Sequence, residues 1–178
     1  MKEIKKNTAI MTTLITATSA ISTRDLLSKE IMKNWGIIRS ENLIDKNASR
    51  NYDMKALLNR IEKLAKERIK MKLYTQLINM GFAKFSDLPK NSLYPIIFEL
   101  SEKNEQFVQL GLIPTLDAKL KAKKGKAKIS KTEELTSAFI KTKREKLQLE
   151  INDLKKKIED YNATATLDVE EISVALAA

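Results

Sequence analysis

Residues 53–80 read DMKALLNRIEKLAKERIKMKLYTQLINM, and the spacing of their apolar side chains decides the fold class. Met54, Leu57, Leu58, Ile61, Leu64, Ala65, Ile69, Leu73, Leu77 and Ile78 recur at intervals of three and four. That repeat sets one apolar stripe along an α-helix, and Gly81 supplies the stop. Lys63, Lys66, Lys70 and Arg60 share much of the opposite face. With Glu62 and Glu67 among them, this reads as a solvated face laced with ion pairs rather than a basic ridge.

Working outward, Ser22 and Asp25 look like a helix start, and Leu26, Leu27, Ile31 and Trp35 give one apolar face before Gly36. The spacing predicts a first helix near 23–35 and a polar loop over 39–51. Phe82, Phe85, Leu88, Leu93, Tyr94, Ile96, Ile97, Phe98 and Leu100 are the densest apolar cluster in the chain. They are expected in the core. Pro95 fits the first turn of a helix over 92–103, with a further short helix over 104–110. The connection between the helices near 53–80 and 92–110 is too long for a compact helix-turn-helix reader.

Only seven residues of the 178 are glycine or proline, and the apolar set is mostly Leu, Ile, Ala and Met, a mixture that suits helices. The fold class is therefore all-α: a small helical domain, a basic linker and a long C-terminal coiled-coil-like helix. The expected division is a Thr/Ala-rich N-terminal arm over 1–21, a helical domain over 22–115, a Lys-rich linker over 116–129, a coiled-coil helix over 130–161 and a tail over 162–178. Lys2, Lys5 and Lys6 followed by the uncharged 8–20 have the outline of a signal peptide. The five threonines in that stretch make it a poor apolar core, so an arm is the preferred reading and secretion the weaker one.

The chain carries 33 Lys and Arg against 23 Asp and Glu, a net +10, and the excess is concentrated. Residues 116–146 carry +7, whereas 147–178 carry −4. Within the basic region, residues 119–131 read KLKAKKGKAKISK. Helical placement would point the seven lysines around the whole circumference, and Gly125 would interrupt it. A solvated polycation fits better, and it can follow a phosphate backbone without reading sequence. Its composition resembles the lysine-alanine-glycine tails of chromatin-type proteins over about a dozen residues. The candidate nucleic-acid-binding residues are Lys119, Lys121, Lys123, Lys124, Lys126, Lys128 and Lys131.

Ser130 and Glu133 have capping-box spacing, which predicts that a helix starts there. Ile140, Leu147, Leu154 and Tyr161 recur every seven residues, with Ile151 and Ile158 between them. β-Branched residues over leucines favour a parallel dimer, in which Glu150 would meet Lys155 of a partner and Arg144 would weaken one end. These six apolar residues are the candidate oligomerisation seam. The alternative is that the stripe packs on the chain's own N-terminal domain. A basic leucine zipper is not implied, because the lysine run lacks arginine and contains Gly125.

Histidine and cysteine are absent, which removes imidazole and thiolate bases, nucleophiles and metal ligands. The four glycines stand too far apart for a phosphate-binding loop or a dinucleotide fingerprint. No catalytic residue, metal site or cofactor is expected. No stretch has the length and apolarity of a membrane span, so no membrane partner is expected. The sequence thus reads as a non-enzymatic, oligomeric accessory protein that binds DNA or RNA without sequence specificity, in the cytoplasm or within a viral particle. The rival reading is a structural or adaptor protein, such as a viral particle component, acting on protein partners.

Overall fold

The first helix begins where Thr16 and Ser19 form a reciprocal cap. The Ser19 N–H donates to Thr16 Oγ1 at 3.1 Å and the Thr16 N–H to Ser19 Oγ at 3.0 Å. A computed structural model describes residues 14–116 and 131–166. In it α1 runs over Ala17–Glu41, longer at both ends than the expected 23–35. Gly36 lies inside the helix, although glycine there costs about 1 kcal/mol relative to alanine. Packing overrides propensity, since Trp35 and Ile38 on either side of it are fully buried. The helical residues 17–21 also shorten the expected arm, whose residues 1–13 lie outside the described residues.

A three-residue strand, β1 (Leu43–Asp45), follows α1 directly, in place of the expected loop. It pairs antiparallel with β2 (Lys131–Glu133), Leu43 opposite Glu133 and Asp45 opposite Lys131. Next, α2 spans Met54–Asn79, capped by Asp53, whose Oδ1 accepts the Ala56 N–H at 2.8 Å. Gly81 takes a φ of 78° and closes this helix, as the sequence predicts. On the solvated face, Arg60 pairs with Glu30 of α1 and Lys70 with Glu67, both at 2.8 Å.

The third helix, α3, is continuous over Tyr94–Gly111 with Pro95 in its first turn. The two short helices expected at 92–103 and 104–110 are one. The fourth, α4, covers Ser137–Thr164 behind a Thr136 cap. It starts later than Ser130 and Glu133 suggest, because residues 131–133 are in the β-ladder and Thr136 accepts the Phe139 N–H.

α1 packs along α2, and α3 packs along α4. One core joins the pairs: Ile31, Trp35 and Ile38 of α1, Leu57, Leu58 and Ile61 of α2, Leu110 and Ile113 at the end of α3, Leu135, and Ile140 and Leu147 of α4. The protein is mostly helical, and its C-terminal helix shares a core with the N-terminal ones. The expected core cluster at 82–100 is different. None of its nine residues is fully buried, and Phe85 and Ile97 are 52% and 41% exposed. Tyr74 meets Phe85 edge to face and Lys72 lies over the Phe98 ring, so the cluster packs locally at one end of the bundle. Among the described residues no helix is long and apolar enough to cross a membrane.

Candidate functional site

Lys119, Lys121, Lys123, Lys124, Lys126 and Lys128 lie outside the described residues, which end at Leu116 and resume at Lys131. What the structure describes is the frame from which the basic segment departs and to which it returns. Asn42, directly after α1, is completely buried. Its Nδ2 donates to the carbonyls of Pro114 (2.9 Å) and Leu135 (3.0 Å), and its Oδ1 accepts the Leu135 N–H (2.7 Å). One amide thus fastens the chain on both sides of the lysine-rich stretch to the end of α1.

Three further groups tighten this base. The Leu116 N–H donates to Glu133 Oε2 at 2.6 Å, bridging the two flanks directly. Arg50 Nη2 donates to the carbonyls of Asn42 and Thr132, both at 3.1 Å. Glu134 Oε1 accepts the Met54 N–H at 2.9 Å at the start of α2, where the helix dipole favours an anion. Glu133, expected to start a local helix, instead serves distant backbone, as Glu134 does. Lys131 opens β2, with its exposed ammonium 3.6 Å from the Asp45 carboxylate. The lysine-rich segment is therefore closed at its base against one helical body, where the sequence suggests a linker between two separate parts.

The candidate oligomerisation residues are placed within the chain. Ile140, Leu147, Ile151 and Leu154 are buried on α4, and Ile158 and Tyr161 are half-buried. Around them the charged contacts are also internal. Glu150 meets Lys103 of α3 at 2.6 Å rather than waiting for Lys155 of another chain. The Arg144 guanidinium stacks 4.2 Å from the Phe107 ring centre and abuts Gly111. A seam built on the four buried residues would have to displace α3.

One polar cluster was missed by sequence reasoning. Arg68 of α2 is buried with Glu102 of α3, Nε to Oε1 at 2.9 Å, with a second guanidinium contact to Oε2. Glu105 at 2.6 Å and Lys72 at 2.8 Å complete the network. Burial opposes the Arg68 charge, but hydrogen bonding to Glu102 and the fields of Glu102 and Glu105 outweigh it, holding its pKa above the ordinary arginine value. The signal was available: Arg68 lies three residues after Ala65, on the apolar stripe, where a charge persists only if paired. Among the described residues, no three Asp or Glu carboxylates cluster in a way that could hold a metal ion. No protein-family model, no curated protein and no solved structure matches this chain.

Proposed function

We propose that the chain is a non-enzymatic accessory protein that binds DNA or RNA without sequence specificity through Lys119, Lys121, Lys123, Lys124, Lys126, Lys128 and Lys131. The observation that carries this reading is the contrast in charge. Residues 117–130 hold six lysines against Asp117, a net +5 and half of the chain's +10. On the helical body many lysines are matched by carboxylates, as at Lys103–Glu150 and Lys143–Glu62. Joining both flanks at Asn42 would keep those charges local to one end of the body, so that they meet adjacent phosphates together. Affinity would come from counterion release rather than base contacts. Self-association, the other half of the reading, would use what intrachain packing leaves accessible of the candidate seam, namely the half-buried Ile158 and Tyr161.

The test is fluorescence anisotropy with random-sequence duplex DNA and single-stranded RNA across a salt series. The expected log-log slope for duplex DNA approaches about −6 when all seven lysines meet phosphates, and glutamine at all seven positions flattens it toward zero. Binding that is absent at low salt, or unchanged by the sevenfold substitution, overturns the reading. A structural or adaptor role is the second reading, and the exposed apolar residues Phe85, Ile97, Val108 and Leu112 favour it.

A further inference from the structure

Of the six arginines in the chain, Arg144 of α4 is the one that makes neither an ion pair nor a hydrogen bond among the described residues. Arg24, Arg50, Arg60 and Arg68 pair with Asp25, Glu134, Glu30 and Glu102, and Arg39 donates to the Gln109 side chain. The Arg144 guanidinium is nevertheless held in place. Its carbon lies 4.2 Å from the Phe107 ring centre, and a Cβ at Gly111 would stand 3.3 Å from it. The bare backbone at Gly111 thus lets the group settle against α3. Phe107, Gly111 and Arg144 all line one cleft of about 540 Å³ between α3 and α4, which puts the guanidinium at its wall. Nε is buried there without a partner, whereas Nη1 and Nη2 are not buried. Those two nitrogens are the ones a ligand in the cleft can meet.

The charges of the cleft select an anion. Lys141 and Arg144 line it against Glu145 alone, and Glu145 lies 3.9 Å from Lys141. Arg144 is the charge left over. A guanidinium offers its N–H groups in a planar fork that matches two phosphate oxygens, and stacking on an aromatic ring leaves the edge of that plane free. The place of the cleft decides which phosphate. Thr115 lines it, and the first of the candidate lysines, Lys119, follows four residues on. Four residues span at most about 14 Å, and a DNA strand carries a phosphate about every 3.4 Å. A strand that meets the first lysines therefore has further phosphates within reach of the cleft. We infer that Arg144 is a phosphate-binding residue fixed on the folded body, its Nη1 and Nη2 meeting two oxygens of a backbone phosphate on the strand that the lysine-rich segment follows. This rests on the nucleic-acid reading above and adds to it a contact that packing has already ordered, so less freedom is lost on binding.

The test is the salt series with duplex DNA on the full chain. Arg144→Gln is expected to weaken binding about threefold or more at low salt and to reduce the log-log slope by about 0.9, the share of one phosphate contact. Arg144→Lys keeps the charge without the fork, so it should hold the slope and still weaken binding. Gln148→Glu sets a carboxylate in the cleft four residues after Arg144 on the same helix. It should occupy the fork and weaken binding as Arg144→Gln does, and it keeps the test decisive if Arg144→Gln does not fold. Leu149→Glu adds the same charge at an exposed position outside the cleft and should weaken binding less. Wild-type binding with slope and affinity unchanged in a folded Arg144→Gln chain would mean that the guanidinium only packs on Phe107, and this inference alone fails. Equal losses in Gln148→Glu and Leu149→Glu would reduce the effect to net charge and overturn it too. No binding by the wild-type chain overturns the nucleic-acid reading, and this inference with it.

Discussion

The two ends of α3 are built from opposite kinds of sequence and packed in opposite ways. Its C-terminal end runs into Leu110, Ile113 and Pro114, beside the polar residues Asn42, Arg50, Glu133 and Glu134, and there Leu110, Ile113 and Asn42 are buried. Its N-terminal end carries Tyr94, Ile96, Ile97 and Phe98, next to Phe82, Phe85 and Leu88, and no member of that group is fully buried. Apolar density along a chain is thus not burial. What decides is whether other elements lie across the segment, and at the Asn42 end four do: α1, β2, the start of α2 and the start of α4. Asn42 is buried there because its amide finds partners in other elements, and Arg50, Glu133 and Glu134 are half-buried with partners of the same kind.

The largest effect is expected midway along α3, where the comparison turns on charge. Glu102→Ala leaves Arg68 buried without its main partner, and breaking one side of such a pair costs about 3–5 kcal/mol. Urea unfolding should register that loss. A change below about 1 kcal/mol would mean that Glu105 alone holds the guanidinium, and that the buried pair contributes little. Asn42→Ala comes next. It strands the Leu135 N–H and removes a donor from two carbonyls, for an expected loss of about 2–3 kcal/mol. The same variant should raise amide hydrogen exchange at Leu116 and Leu135, because Asn42 closes the base of the basic segment. Protection left unchanged at both sites would assign the closure to the Leu116–Glu133 contact instead.

How much of this was legible follows from the range of each interaction. α2 was readable from Asp53 to Gly81 because stripe and stop both lie within one helix. Pro95 in a first turn was readable for the same reason. The stripe on α4 was visible, but a three-and-four repeat records only that a face is apolar, not whether α3 or another chain covers it. Asn42 gave no signal. Its partners lie 72 and 93 residues away, and an asparagine in a polar stretch looks like any loop residue. Gly36 misled because propensity is a local term of about 1 kcal/mol, smaller than the burial of Trp35 and Ile38 beside it. For the candidate site, the concentration of lysine was plain from composition, while its closed base depended wholly on these long-range hydrogen bonds.

The smallest effect is expected at the aromatic end, and it is the sharpest test of the contrast. Phe85 and Ile97 already leave about half of their surface in water, so replacing either by serine removes only about half the burial of a core side chain. Phe85→Ser and Ile97→Ser should each cost about 1–1.5 kcal/mol. Leu110→Ala, at the other end of the same helix, should cost about 2–5 kcal/mol. Matched urea curves on the three variants give the ratio directly. If Phe85→Ser costs as much as Leu110→Ala, something covers the aromatic end in solution. Concentration dependence of the midpoint would then identify a second copy as the cover, since association shifts apparent stability by mass action. With no such dependence, the cover must come from the same chain, and the asymmetry between the two ends of α3 disappears.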